Sequence, residues 1–282
     1  GNIKEAQKAL RFLCKRWFGH GQVFTSAAMF EERIGNIQNA IQICEEGLES
    51  NISFSPLWSL LVKLASKAPR GYKFKYWANF EQLLDEAIRY TSPENKWKLY
   101  LEAAQYQNKK ENIKLSRKYL KEAVVCSNNK LRWKVWVIGA RIESRIGNKE
   151  SAKSLIERAL MEVPQKKQSI VFMEYAKFYE LTGNFTTAQK ILALARKSFE
   201  NDWKVFFESV LTYLRNGDFE NAEKLAKHSL KKHFVTGRLW ATLIQLKHAK
   251  IKNRSDSKKV FSVFLKANRK IPKSGEVWCE GA

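Results

Sequence analysis

The chain has 282 residues, 44% of them hydrophobic, with 51 Lys and Arg against 28 Asp and Glu and a formal net charge of +23. That hydrophobic share is ample for a buried core, and no run of eighteen apolar residues is present to span a bilayer. A positive excess this large disfavours compactness by self-repulsion and points to a polyanionic partner: nucleic acid, an acidic protein segment or an anionic surface. The plain alternative is a lysine-rich solvated surface, which usually carries a matching share of Glu.

Residues 1–18 place Ile3, Ala6, Leu10 and Leu13 at helical spacing and predict a second helix without its partner. Gly1-Asn2 reads as the turn inside a hairpin and Val277–Ala282 as the opening of another first helix, so both ends are expected to be edges of a longer array. The next hairpin is predicted over Val23–Glu32, a turn at Gly35 and Ile37–Leu48, its far end acidic through Glu45, Glu46 and Glu49. Asn51–Pro56 reads as a loop. A first helix over Leu57–Ser66 then meets Lys67-Ala68-Pro69-Arg70-Gly71, which cannot continue it. Its partner is expected to restart near Tyr76 and run through Phe80, Leu84 and Ala87 to Tyr90. The extended connection sets Lys67, Arg70, Lys73 and Lys75 beside Tyr72, Phe74, Tyr76 and Trp77. Basic residues interleaved with aromatics suit single-stranded nucleic acid, because bases stack on rings while phosphates meet ammonium groups. The same aromatics suit packing onto a neighbouring unit, and the pattern leaves both open.

Thr91-Ser92-Pro93-Glu94 reads as a helix start with Pro in the first turn. Trp97, Tyr100 and Ala104 form a first-helix face, partnered by Ile113–Val125, on which Lys114, Arg117, Lys118 and Lys121 share one side. From Trp136 to Pro164 comes the clearest hairpin, with Ala140, a turn at Gly147-Asn148, and then Ala152, Ile156, Ala159 and Leu160. Gly147 tolerates φ > 0, and Ala152 lets one helix lie close to the other. Later second helices are also basic, through Lys149 and Lys153, then Lys190, Arg196 and Lys197, then Lys224, Lys227, Lys231 and Lys232. If equivalent helices stack side by side these rows merge into a stripe, although a solvated face explains each row alone. Lys250–Ser257, with Lys250, Lys252 and Arg254, occupies the predicted turn of the seventh hairpin, followed by Lys258 and Lys259, and Asp256 is the sole acid between Lys224 and Lys273.

The hairpins are copies of one another. Gly1, Gly35, Gly147, Gly183 and Gly217 are each followed by Asn or Asp, and five residues on by Ala6, Ala40, Ala152, Ala188 and Ala222. First helices index on Trp58, Trp97, Trp133, Ser169, Trp203, Trp240 and Trp278, with a Gly-less turn at Glu111-Asn112. A hairpin of about thirty residues cannot bury its own apolar face, so copies must stack.

The unit holding Trp136, Glu143, Gly147, Ala152-Lys153, Ile156-Glu157-Arg158-Ala159-Leu160 and Pro164 resembles the half-a-tetratricopeptide (HAT) pattern. The next, with Phe172, Ala176, Tyr179, Gly183, Ala188, Leu192 and Ala195, is similar to the plain tetratricopeptide pattern. The chain departs from the HAT pattern at Gln107, Tyr179 and Tyr213, where those repeats carry Glu. The resemblance implies an all-α fold: one right-handed α-solenoid of about seven stacked antiparallel helix pairs over 1–282. Its units fall near 1–20, 21–50, 56–91, 94–127, 130–164, 168–200, 202–233 and 237–272, with another starting at 275. It also implies the company of RNA-processing assemblies, such as those of splicing, cleavage-polyadenylation, ribosomal-RNA maturation and organellar transcript protection.

No GxSxG, HExxH, P-loop or GxGxxG motif is present, and the four histidines and four cysteines are not spaced as metal ligands. Neither an enzyme nor a bound cofactor or metal is expected, and cysteines this dispersed suit a reducing compartment. The expected function is a scaffold for RNA processing that binds proteins of a ribonucleoprotein complex and single-stranded RNA, without membrane contact, with a homodimer as a further possibility. Its expected location is the nucleus, with organelle matrix or cytoplasm as alternatives. Candidate RNA or anion contacts are Lys67, Arg70, Lys73, Lys75, Lys114, Lys118, Lys121, Lys224, Lys227, Lys231, Lys250, Lys252, Arg254, Lys258 and Lys259. The competing expectation is a tetratricopeptide-type adaptor whose positive groove captures an acidic peptide.

Overall fold

The repeat is built on a local rule: a residue with φ > 0 ends one helix, and the Asn or Asp after it caps the next. The computed structural model describes residues 2–69, 71–251 and 254–282, and among these it holds sixteen α-helices, two 3₁₀ turns and no strand. The chain divides into two compact units, residues 1–142 and 143–282. The first holds α1 (Ile3–Arg16), α2 (Gly21–Arg33), α3 (Ile37–Ser50), α4 (Ser55–Ala65), α5 (Phe80–Tyr90), α6 (Lys96–Lys109), α7 (Ile113–Cys126) and most of α8 (Asn129–Ile146). The second holds α9 (Lys149–Glu162), α10 (Gln168–Leu181), α11 (Phe185–Ser198), α12 (Trp203–Arg215), α13 (Phe219–Lys232), α14 (Gly237–His248), α15 (Arg254–Lys270) and α16 (Gly275–Gly281). Each unit is a series of antiparallel helix pairs, as an α-solenoid requires.

The turns follow the rule closely. Gly35, Gly147, Gly183 and Gly217 all have φ between 76° and 90°. After each, the Asn or Asp N–H reaches back to a carbonyl in the last turn of the preceding helix: Asn36 to Glu31, Asn148 to Glu143, Asn184 to Tyr179 and Asp218 to Tyr213, at 2.8–3.0 Å. The α6–α7 turn repeats this geometry without glycine, because Glu111 itself adopts φ 62° and Asn112 N–H bonds Gln107 O at 2.9 Å. Asn112, Asn148, Asn184 and Asp218 then cap α7, α9, α11 and α13 through their side-chain oxygens.

Close helix contact depends on the small residue five places after the turn. Ala40, Ala152, Ala188 and Ala222 are fully buried. In the Gly-less hairpin the equivalent residue is Ser116, equally buried, whose hydroxyl donates to Ala104 O at 2.8 Å and so meets the cost of a polar group in the core. On α4, Leu57, Trp58, Leu61 and Leu64 are buried almost completely, each contributing roughly 1.5–3 kcal/mol. The index tryptophans also fasten the preceding loop: Trp58, Trp240 and Trp278 donate from Nε1 to Ile52, Phe234 and Pro272 carbonyls, each at 2.7 Å.

Two boundaries differ from expectation. The partner of α4 begins at Phe80 rather than near Tyr76, because Asn79 caps it by accepting from Gln82 N–H and the residues before it are held by other elements. Residues 66–69 and 71–79 thus form a strap. The connection after α14 is shorter than the run Lys250–Ser257 suggests, since α15 already begins at Arg254. Arg70 and Lys252 lie outside the described residues.

Candidate nucleic-acid interface

A lysine can meet a phosphate only if its ammonium is both exposed and free of a closer carboxylate. The candidate cations separate on that criterion. Lys114, Lys118 and Lys121 project from α7, all exposed, and none has a carboxylate partner among the described residues. Lys73 on the strap, Lys231 at the end of α13 and Lys258 on α15 are exposed as well, whereas Lys259, also exposed, already has an interaction of its own. The side chain of Arg254 lies outside what is described.

The remaining described candidates, Lys67, Lys75, Lys224, Lys227 and Lys250, are ion-paired. Lys67 and its neighbour Lys63 both hold Glu32, at 2.6 and 2.9 Å, and so join the last turns of α2 and α4. Burial alone would raise the Glu32 carboxyl, but the hydrogen bonds from Lys67 and Lys63 outweigh it and keep it below its ordinary value. Lys75 binds Glu49 at 2.6 Å, and its backbone N–H donates to Glu45 at 2.9 Å. Tyr76 hydroxyl also donates to Glu49, and Trp77 Nε1 to Glu86. The second half of the strap is therefore pinned to α3 by Lys75 and Tyr76 and to α5 by Trp77, whose ring is buried edge-on against Trp58 at 5.7 Å.

On α13 and α14 the pairing is denser. Glu223, only 8% exposed, receives Lys227 and Lys247 at 2.8 Å and Lys250 at 2.7 Å. Burial pulls this carboxyl upward, yet three ammonium hydrogen bonds hold it down at about 2. Lys224 pairs with Glu220 at 3.2 Å, and Lys232 with Glu200. Of the other second-helix cations, Arg196 is half-buried on α11 and held below its ordinary value by that burial. Lys247 was not legible as part of this cluster from sequence, because the carboxylate that organises it sits on a different helix.

Other chemistry can be located too. The four cysteines are free thiols, and Cys44 is fully buried, its pKa pushed up by that burial. Among the described residues no three His, Cys, Asp or Glu side chains are grouped to hold a metal, and no helix is long and apolar enough to cross a membrane.

Antiparallel helix pairs in series, with ion pairs joining neighbouring pairs, define a helical-repeat scaffold of the tetratricopeptide-like class, whose members bind other proteins. The chain belongs to the family described as "PRP6, TPR-like domain", whose model matches residues 1–282. A TPR-containing protein of Dictyostelium discoideum is 41% identical over 283 residues, covering 100% of this chain and 21% of that protein. The chain thus spans about a fifth of the length of that curated relative. Among solved structures, yeast Tom70 superposes with a TM-score of 0.61 over 99% of this chain and 57% of its own, at 13% identity, a likeness of fold alone. A tetratricopeptide repeat protein from Parabacteroides merdae covers 100% of this chain and 91% of its own at 11% identity, with a TM-score of 0.48.

Proposed function

We propose that this chain is a non-catalytic scaffold of a nuclear RNA-processing assembly, splicing among the processes it fits, and that it forms one continuous solenoid holding partner proteins while its unpaired lysines meet RNA. The observation that carries the RNA arm is the α7 row, where Lys114, Lys118 and Lys121 are exposed without a counter-charge. Three ammonium groups along one helix face match the backbone of a single strand better than a compact carboxylate, because phosphates repeat along the chain. The whole-chain match to the PRP6, TPR-like domain family supports the protein-binding arm.

The test is binding of single-stranded RNA by the chain between about 50 and 200 mM salt. Affinity that falls steeply across that range is expected. Absent or salt-insensitive binding overturns the RNA arm. Recovery of partners with and without ribonuclease then separates direct protein contacts, which survive the nuclease, from those bridged by RNA.

A further inference from the structure

The strap divides into two halves with different work. Its second half is anchored on α3 through Lys75 and Tyr76, and on α5 and α4 through Trp77. Its first half walls a cavity of about 250 Å³ against the start of α5 and the end of α6. Tyr72 and Phe74 stand on the strap side, 5.2 Å apart and edge to face. Phe80 and Tyr106 form the opposite wall, stacked at 3.9 Å. Lys109 and Lys110 complete the lining, and Lys110 Nζ rests 5.7 Å from the Tyr106 ring centre. Tyr72, Phe74 and Tyr106 are only partly buried and line the cavity.

We propose that this cavity receives one unstacked nucleobase of single-stranded RNA. The inference rests on the RNA reading of the chain and gives it a base-contacting site. Three features select this ligand. The partly exposed rings of Tyr72, Phe74 and Tyr106 line the cavity, and aromatic rings stack any base. The volume is below the roughly 300 Å³ at which drug-sized pockets begin, so it suits one planar group rather than a helix. The flexible ammonium groups of Lys109 and Lys110 stand at the wall and can take the flanking phosphates, with Lys110 leaving the Tyr106 ring to do so. Glu81, the one acid in the lining, is held by Gln107 Nε2 at 3.0 Å. Because Glu45 and Glu49 fix the far half of the strap, the aromatic wall is in place before a ligand arrives.

The experiment compares the full chain with Tyr106→Leu, and with Ala78→Trp, which narrows the cavity from an exposed lining position and leaves every ring in place. The probe is a single-stranded RNA of about 8 nucleotides carrying one 2-aminopurine, alongside the same strand with that position abasic. In the unaltered chain, 2-aminopurine fluorescence is expected to be quenched and the intact strand to bind more tightly than the abasic one. Each variant is expected to weaken the intact strand about 5- to 100-fold, the range of one lost stack, and to leave the abasic strand unchanged. Equal affinity for both strands in the unaltered chain overturns the cavity and leaves the basic-surface reading standing. Binding of neither strand overturns both. Displacement of the quenched strand by an acidic aromatic peptide at lower concentration than by unlabelled RNA overturns the nucleobase assignment in favour of a protein ligand.

Discussion

On α7, Lys114, Lys118 and Lys121 are exposed and form no ion pair among the described residues, whereas at α13, α14 and the residue just beyond it Lys227, Lys247 and Lys250 converge on the single carboxylate of Glu223. By sequence the two regions resemble each other, and the α13–α14 region is the more basic. Structure separates them by how much of their charge is ion-paired. A lysine whose charge already holds two helices together must break that pair to reach a phosphate, so its contribution to binding is reduced by what the pair is worth. What an incoming polyanion meets is the charge left over after internal pairing, and α7 keeps more of it than the denser cluster.

The comparison is broken most forcefully by reversing the charges on α7. Lys114→Glu, Lys118→Glu and Lys121→Glu together are expected to weaken single-stranded RNA binding by about 100-fold or more at low salt, with thermal unfolding unchanged within about 1 °C. Filter binding and calorimetry read the two effects separately. A smaller but opposite pattern is expected at Glu223. Glu223→Gln leaves three ammonium groups without their shared partner and should cost about 1–2 kcal/mol, lowering the unfolding temperature by about 2–4 °C.

The same carboxylate gives a pH signature. Its folded value of about 2 lies below the ordinary 4.5, so the unfolded chain binds the proton first. Its stabilising contribution is complete above about pH 4.5 and is lost as pH falls toward 2. Denaturant titrations at pH 7, 4 and 3 should therefore show the difference between the native chain and Glu223→Gln shrinking stepwise. A difference independent of pH would mean that packing, not the ion cluster, accounts for the loss. The smallest expected effect is a gain: Glu111→Gly relieves the positive φ in the α6–α7 turn and should stabilise by about 1 kcal/mol. Loss of stability there would show that the Glu111 side chain does more than fill a turn.

Legibility followed the range of the forces involved. The turns at Gly35, Gly147, Gly183 and Gly217 were readable because φ > 0 and capping are set by two adjacent residues, and the buried alanines followed at fixed distance. Even the exception at Glu111 was visible as a missing glycine in an otherwise intact register. The start of α5 was not, because Tyr76 and Trp77 pass locally for helix formers and are instead held by Glu49 and Glu86 from other segments. The basic surface was legible in amount only. Which lysines are paired depends on where carboxylates on neighbouring helices fall, so sequence gives no sign of the pairing of Lys63, Lys67, Lys247 and Lys250. The cavity beside the strap was half legible: Tyr72 and Phe74 stood out, but Tyr106, Lys109 and Lys110 meet them only through the folding of α6 against α5.

The most direct measurement is the slope of log affinity for single-stranded RNA against log salt in three proteins. These are the unaltered chain, Lys114→Gln/Lys118→Gln/Lys121→Gln, and Lys224→Gln/Lys227→Gln/Lys250→Gln. At about 0.7 per lost phosphate contact, the α7 variant should lose about 2 from the slope and the other variant less than about 1. Equal losses in the two variants, or a flat line in the unaltered chain, would contradict the account.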